Sequence, residues 1–258
     1  MTRISGYNIV GCPHCEAPYM TPSYSSVNFM ALESWTDGYR THSLMPPSES
    51  MRLCTACNEI YAISEVKPLG YLSRDEIDEV VLNPVPLAKT WLARLGRRLF
   101  GGPKPTTTRV RKANLPGPIC WLPDEQVADR LSRLLAKGPE QVPHGLRFET
   151  ELRIRLWQQG NHWYREGLLK ARREQAKLPP PFNITPSQIE NLVRLVALLQ
   201  DERVGMKDRL LLVDALRQLG EFDLAREALS SENTERGWGW YQKMLIDQRM
   251  GHVGLYPD

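Results

Sequence analysis

Two short cysteine motifs constrain this chain more than any other feature. Cys12-Pro13-His14-Cys15 and Cys54-Thr55-Ala56-Cys57 are CxxC units separated by 38 residues. Each unit can place two sulfurs on one tight turn, and two such turns facing each other complete a tetrahedral four-sulfur site. Thiolate is a soft ligand and Zn²⁺ has no competing geometric preference, so one structural Zn²⁺ per chain is the expected cofactor. Paired cysteines at this spacing point to metal rather than to a disulfide framework. A thioredoxin-type redox CxxC needs a βαβ setting, which the surrounding residues do not show. Iron or an iron–sulfur centre is the other metal such a set can take. A closed shell of four thiolates leaves no position for water or substrate, so the site implies stability rather than catalysis.

The residues around the motifs read as short antiparallel strands. Val27–Trp35 is rich in β-formers, Thr36-Asp37-Gly38 signals a turn, and Tyr39–Leu44 is the expected return strand. Asn58–Val66, carrying Ile60, Tyr61, Ile63 and Val66, is a further candidate strand. Two knuckles holding a small sheet resemble the zinc-ribbon or rubredoxin-like group over residues 8–67. Such knuckles often carry Gly just after the second cysteine, where this chain has Glu16 and Asn58. Asn tolerates a left-handed backbone there, and Glu does so less readily. His14 and His42 read as bystanders beside four available thiolates, and the lone Cys120 as a small buried hydrophobe.

Charge divides the 258 residues into regions. Residues 1–90 hold six Lys/Arg against ten Asp/Glu, whereas 91–123 hold seven basic residues and no acidic one. The seven are Arg94, Arg97, Arg98, Lys104, Arg109, Arg111 and Lys112. The shift coincides with Gly101-Gly102-Pro103-Lys104-Pro105-Thr106-Thr107-Thr108, a composition that continues neither a helix nor a packed strand. The expected organisation is therefore a ribbon domain over 1–90 with a short acidic helical extension, a basic linker over 91–118, and a helical domain over 119–258. A content of 41% hydrophobic and 24% charged residues is too apolar for wholesale disorder. No apolar run approaches the roughly 18 residues of a membrane span, and Met1–Gly11 lacks the pattern of a secretory signal. A cytoplasmic location is expected on these grounds.

The C-terminal region carries helical periodicity. Thr185-Pro186-Ser187-Gln188 combines a cap, Pro at the first helical position and a capping box. Ile189, Leu192, Val193, Val196 and Leu199 then recur on one expected face. Helices are also expected over Asp124–Lys137, with Val127, Leu131, Leu134 and Leu135 inward, and over Phe148–Gln159, with Phe148, Leu152 and Leu156 on one stripe. Asn161–Lys177 reads as a basic helix interrupted by Gly167, and Gly237-Trp238-Gly239-Trp240-Tyr241 opens the last one. Between these, Lys207–Leu219 and Phe222–Ser230 read as helices reversing at Gly220. Ala215-Leu216-Arg217-Gln218-Leu219-Gly220-Glu221-Phe222-Asp223-Leu224-Ala225 resembles the centre of a tetratricopeptide repeat. Small residues there let two helices approach, and Gly permits the reversal. No second copy follows at the repeat's period of about 34 residues, so a regular solenoid is not expected.

The fold class expected is thus α+β: a small antiparallel zinc ribbon followed by a mainly helical, tetratricopeptide-like domain. This order resembles uncharacterised bacterial proteins of the same architecture, and the resemblance implies a fold without supplying a reaction. The chain has no HExxH, GxSxG, GxxxxGK[ST] or GxGxxG motif. Gly96–Gly102 misses a phosphate loop because Pro103 stands where its Lys belongs. The carboxylate pairs Asp75/Glu76 and Asp78/Glu79 read as an acidic surface. The leading expectation is a non-enzymatic adaptor, chaperone or immunity-type module that captures another protein, with Trp238, Trp240 and Tyr241 as candidate anchors. The alternatives are nucleic-acid binding through the seven cations of 91–112, or an enzyme without a recognisable motif.

Overall fold

A computed structural model describes residues 3–26, 33–41, 51–73, 80–82, 108–110, 122–175, 177, 179, 183–204, 208–229 and 237–256. The fold class is α+β, with antiparallel strands in the N-terminal part and seven α-helices in the C-terminal part among these residues. The chain forms two compact units, and its path between them is not sequential. One unit comprises 1–29 and 44–122; the other comprises 30–43 and 123–258.

The first unit is built on a five-stranded antiparallel sheet. Strands β1 (Arg3–Gly11) and β2 (Pro18–Ser26) form a hairpin whose turn is the first CxxC. Strands β3 (Glu33–Ser34) and β4 (Arg40–Thr41) belong to the other unit. Strands β5 (Met51–Leu53) and β6 (Ile60–Ala62) pair around the second CxxC. Strand β7 (Lys67–Ser73) then returns to β1, and β8 (Val80–Leu82) and β9 (Thr108–Val110) extend the sheet in the order β2-β1-β7-β8-β9. Alternation along β1 sends Ile9 to a cluster with Leu72 and Val10 to a cluster with Cys12, Tyr19, Cys54 and Tyr61.

β9 corrects the linker reading at its C-terminal end. Thr108 and Val110 are β-branched, and pairing with Leu82 and Val80 supplies the backbone partners that composition alone did not reveal. Arg109 stands in this strand opposite Val81. Arg94, Arg97, Arg98, Lys104, Arg111 and Lys112 lie outside the described residues, as do His42, Cys120 and the acidic 75–79 segment.

The second unit contains α1 (Val127–Lys137), α2 (Gly145–Gly160), α3 (His162–Glu174), α4 (Pro186–Gln200), α5 (Arg209–Gln218), α6 (Phe222–Leu229) and α7 (Gly237–Asp247). α4 starts with the expected capping box: Gln188 N–H donates to Thr185 Oγ1 at 3.3 Å, and Thr185 N–H to Gln188 Oε1 at 2.8 Å. Its buried stripe is Leu192, Leu195, Leu198 and Leu199, so the expected face is rotated. Ile189 and Val193 are exposed, and so is Leu135 on α1, where Arg130 is buried instead. Gly167 does not interrupt α3; a side chain there would meet Pro179, so its bareness serves close packing.

α5 is buried on nearly every side, with Leu211 and Val213–Gln218 all withdrawn from solvent. It ends in a Schellman turn: Glu221 N–H donates to Leu216 O and Gly220 N–H to Arg217 O, both at 3.0 Å. Gly220, at φ 83°, occupies the left-handed position this motif requires. α6 then packs against α5, with Ala225 beside Val213 and Leu216. Ala215, expected at this same contact, faces the opposite way, into a cluster with Ile154, Trp157, Leu192 and Leu195 from α2 and α4. The small residue thus serves a different helix pair from the one the repeat pattern implied. Ala225→Leu is expected to overpack the α5–α6 contact and cost roughly 1–3 kcal/mol in urea unfolding. A change within error would show that Ala225 is not in close contact.

The hairpin β3–β4 is expected from its turn signal, but its surroundings are not. Instead of lying in the ribbon it forms part of the helical core. Trp35, Thr36 and Asp37 are each at most 1% exposed. Trp35 packs with Tyr164 and Val253 and bridges to Leu255. Asp37 pairs with Arg165 of α3 and accepts from Asn161 Nδ2 at 2.8 Å, while Gln158 Nε2 donates to its carbonyl at 3.0 Å. Thr36 Oγ1 accepts from Gly254 N–H at 2.9 Å and from Arg217 at 3.3 Å. Burial pushes the Asp37 carboxyl up, and Arg165 and Asn161 pull it back only as far as about 6. Its chemistry explains the placement: a Trp and an Asp on one turn need a core and a buried cation, and α3 supplies both.

Candidate metal centre

The two knuckles repeat one backbone pattern. In the first, Cys12 N–H donates to Ala17 O at 2.9 Å and Glu16 N–H to Cys12 O at 3.0 Å. In the second, Cys54 N–H donates to Glu59 O at 2.9 Å and Asn58 N–H to Cys54 O at 2.8 Å. Closing these turns requires a left-handed residue after the second cysteine, and Glu16 and Asn58 adopt it at φ 61° and 60°. The non-glycine residues therefore take the strained position rather than abolishing it. The Glu16 side chain reaches Lys67 Nζ at 2.9 Å, and this pairing lowers its carboxyl pKa. Both partners are well exposed, so the ion pair adds little stability.

The structure brings all four cysteine sulfurs within 4.8 Å of one another. Cys15 and Cys54 Sγ are 3.5 Å apart, and Cys12 and Cys57 Sγ are 3.9 Å apart. A tetrahedral ion with thiolates at about 2.3 Å gives sulfur–sulfur edges of about 3.8 Å, so the set fits a single metal ion. Amide groups already point at the sulfurs: His14 N–H at Cys12 and Cys57 N–H at Cys54, each at 3.4 Å. Cys12 and Cys54 are buried, Cys57 is half-buried and Cys15 is exposed, so one side of the cluster faces water. The His14 ring sits 3.2 Å from Ile60 O through Nε2, linking the first knuckle to β6. It is not among the clustered ligands.

Tyr19, which the sequence reading overlooked, organises the second knuckle. Its hydroxyl lies 3.1 Å from Cys54 Sγ and 3.2 Å from Thr55 Oγ1, and it accepts from Ala56 N–H at 3.2 Å. With Cys54 as thiolate, the phenol proton goes to sulfur and the oxygen remains free to accept. Burial pushes the Cys54 thiol up, but the Tyr19 hydroxyl and the Cys57 amide outweigh it and bring the pKa to about 6. Burial, reinforced by the neighbouring thiols, pushes Cys57 up to about 12. Cys12 is also raised, chiefly by burial. Four thiols crowded within reach of one another are an arrangement that a cation completes. Tyr61, fully buried in the same cluster, has no hydrogen-bond partner for its hydroxyl among the described residues. The signal available in the sequence was an aromatic residue just beyond each knuckle, at 19 and 61.

Tyr19→Phe is expected to weaken metal binding by about 10–100-fold, the usual effect of removing a group that supports a ligand. Competition against a chromophoric chelator measures it. Unchanged affinity would show that the hydroxyl is not coupled to the site.

The anchors proposed on α7 are only partly free. Trp238 stacks on Tyr256 with ring centres 4.8 Å apart and carries Arg40 over its face. Tyr241 is half-buried and also contacts Tyr256. Trp240 is 48% exposed. No helix among the described residues is long and apolar enough to cross a membrane. In comparisons with known proteins the chain matches no family model, no curated protein and no solved structure.

Proposed function

We propose that Cys12, Cys15, Cys54 and Cys57 hold one structural Zn²⁺ in a zinc ribbon, and that the protein is a non-enzymatic module whose helical unit captures another protein. The convergence of four sulfurs, with no other ligand among the described residues, carries the metal part of this reading. Zn²⁺ would neutralise the thiolates and tie the two knuckles together; a filled four-sulfur shell leaves no place for a substrate. Support for capture comes from Trp240, a large aromatic presented at 48% exposure on a helix where Trp238 is also exposed but stacks on Tyr256, and Tyr241 is half-buried. Exposed Trp residues dominate the energetics of many protein interfaces.

The test is affinity capture by the tagged full chain from cells that naturally produce it. A protein partner should remain after nuclease treatment and at about 0.5 M salt, where non-specific phosphate contacts are lost. Trp240→Ala should cut its recovery by at least about tenfold, the size of a typical hot-spot loss. Recovery of nucleic acid would overturn this reading if its affinity falls steeply with salt. Neutralising Arg109, Arg111 and Lys112 would then make the log–log salt slope shallower by up to about 3.

A further inference from the structure

We propose that the metal site controls the helical unit through the chain that joins the two cysteine pairs. The inference rests on the zinc reading above. Its starting point is connectivity. The 38 residues between Cys15 and Cys54 include β2 and β5 of the first unit, yet their middle part, β3–β4, is core material of the second. The hairpin is not an ornament there. Removing it would take Trp35 from Tyr164 and Val253, Asp37 from Arg165, and Thr36 from Arg217 and Gly254. Residues 123–258 alone would keep a buried guanidinium without its carboxylate, a costly arrangement. The helical unit is therefore complete only with residues supplied from inside the ribbon's ligand loop.

A metal bridging Cys15 and Cys54 closes that loop. Cross-linking its ends removes conformational freedom from the undocked hairpin and leaves the docked hairpin, already ordered, almost unaffected. Docking becomes more favourable by that difference. Loop-closure entropy gives about threefold in equilibrium constant for each halving of the free chain. Without the metal the hairpin is tethered on its C-terminal side by the 79 residues of 44–122, rather than held in a ring of 38. The pairing of β5 with β6, three residues on each strand, is also too short to persist unaided. One such halving sets the expected coupling at about threefold. By linkage the effect is reciprocal: whatever metal adds to docking, docking adds to metal affinity.

Hydrogen exchange on the full chain, zinc-loaded and then stripped with a chelator, tests the coupling. The informative probe is α5, whose Arg217 reaches Thr36 and whose Leu211 lies against the Gly38 turn. Chelation should speed exchange of α5 by about threefold, and restoring zinc should reverse it. In the reciprocal arm Trp35→Ala should weaken zinc binding by a similar factor, whereas Val193→Ala, at an exposed position of α4, should not. If zinc binds and its removal frees residues 51–62 but leaves α5 unchanged, the coupling is overturned and the zinc site stands. If the protein takes up no zinc, the site and the coupling both fall. Equal zinc affinities for Trp35→Ala and the parent chain would overturn the coupling independently of exchange rates.

Discussion

Cys54→Ser is expected to yield protein without bound metal and with the ribbon residues 8–26 and 51–67 unfolded, whereas the parent chain purifies with one zinc ion. Cys54 is the most heavily supported of the four cysteines. Its sulfur is buried, receives the Cys57 amide and lies within hydrogen-bond reach of Tyr19. Serine keeps the size but replaces a thiolate with an alcohol that stays protonated, so the soft four-sulfur shell is lost. Structural zinc contributes about 10–16 kcal/mol in small zinc modules, far more than the few kcal/mol of net stability available to a module of this size. The β5–β6 pair has three residues per strand and cannot hold the second knuckle closed by itself. Elemental analysis and an NMR spectrum of the ribbon residues provide the measurement. Loss of zinc with an unchanged spectrum would show that the sheet, not the metal, holds the knuckles.

Arg217→Met is expected to destabilise the helical unit by about 3–5 kcal/mol, the effect of breaking a fully buried ion pair from one side. Arg217 and Asp214 are both wholly inaccessible. The guanidinium also donates to the Met250 and His252 carbonyls, the latter at 2.6 Å, and to Thr36 Oγ1. Methionine fills much of the volume but leaves the Met250 and His252 carbonyls without this donor and the Asp214 carboxylate without its cation. Asp214 retains Gln218 Nε2 at 2.9 Å, which softens the loss without cancelling it. Pairing the change with Asp214→Leu should recover part of the stability, since two apolar groups leave no buried charge. Urea unfolding of the two single variants and the double variant separates the cases. Costs that simply add would mean that Arg217 and Asp214 act independently.

These results depend on two kinds of information that differ in how far they can be read along the chain. The knuckles were legible because their geometry is local. Two sulfurs three residues apart lie on one turn, and the left-handed positions at Glu16 and Asn58 follow from closing it. The same holds for the capping box at Thr185–Gln188 and the reversal at Gly220, where a few neighbouring residues satisfy one another. Faces were harder. Ile189 and Val193 share the periodicity of the buried stripe on α4 yet are exposed, because a helix has more apolar positions than any one neighbour covers. Ala215 and Ala225 look alike in the repeat pattern, and only the arrival of α2 and α4 on one side of α5 gives them different partners.

Sequence alone determined the four clustered cysteines, the α+β class, the positions of the helices and the turn at Gly38. Tertiary structure decided which body that turn belongs to. Thr36-Asp37-Gly38 specifies a reversal through local backbone preferences, and nothing local distinguishes a reversal in a ribbon from one in a helical core. The decision lies with Arg165, Arg217 and Tyr164, more than a hundred residues away. A buried carboxylate is tolerated only where a cation and hydrogen-bond donors await it, and only the folded chain brings them to Asp37.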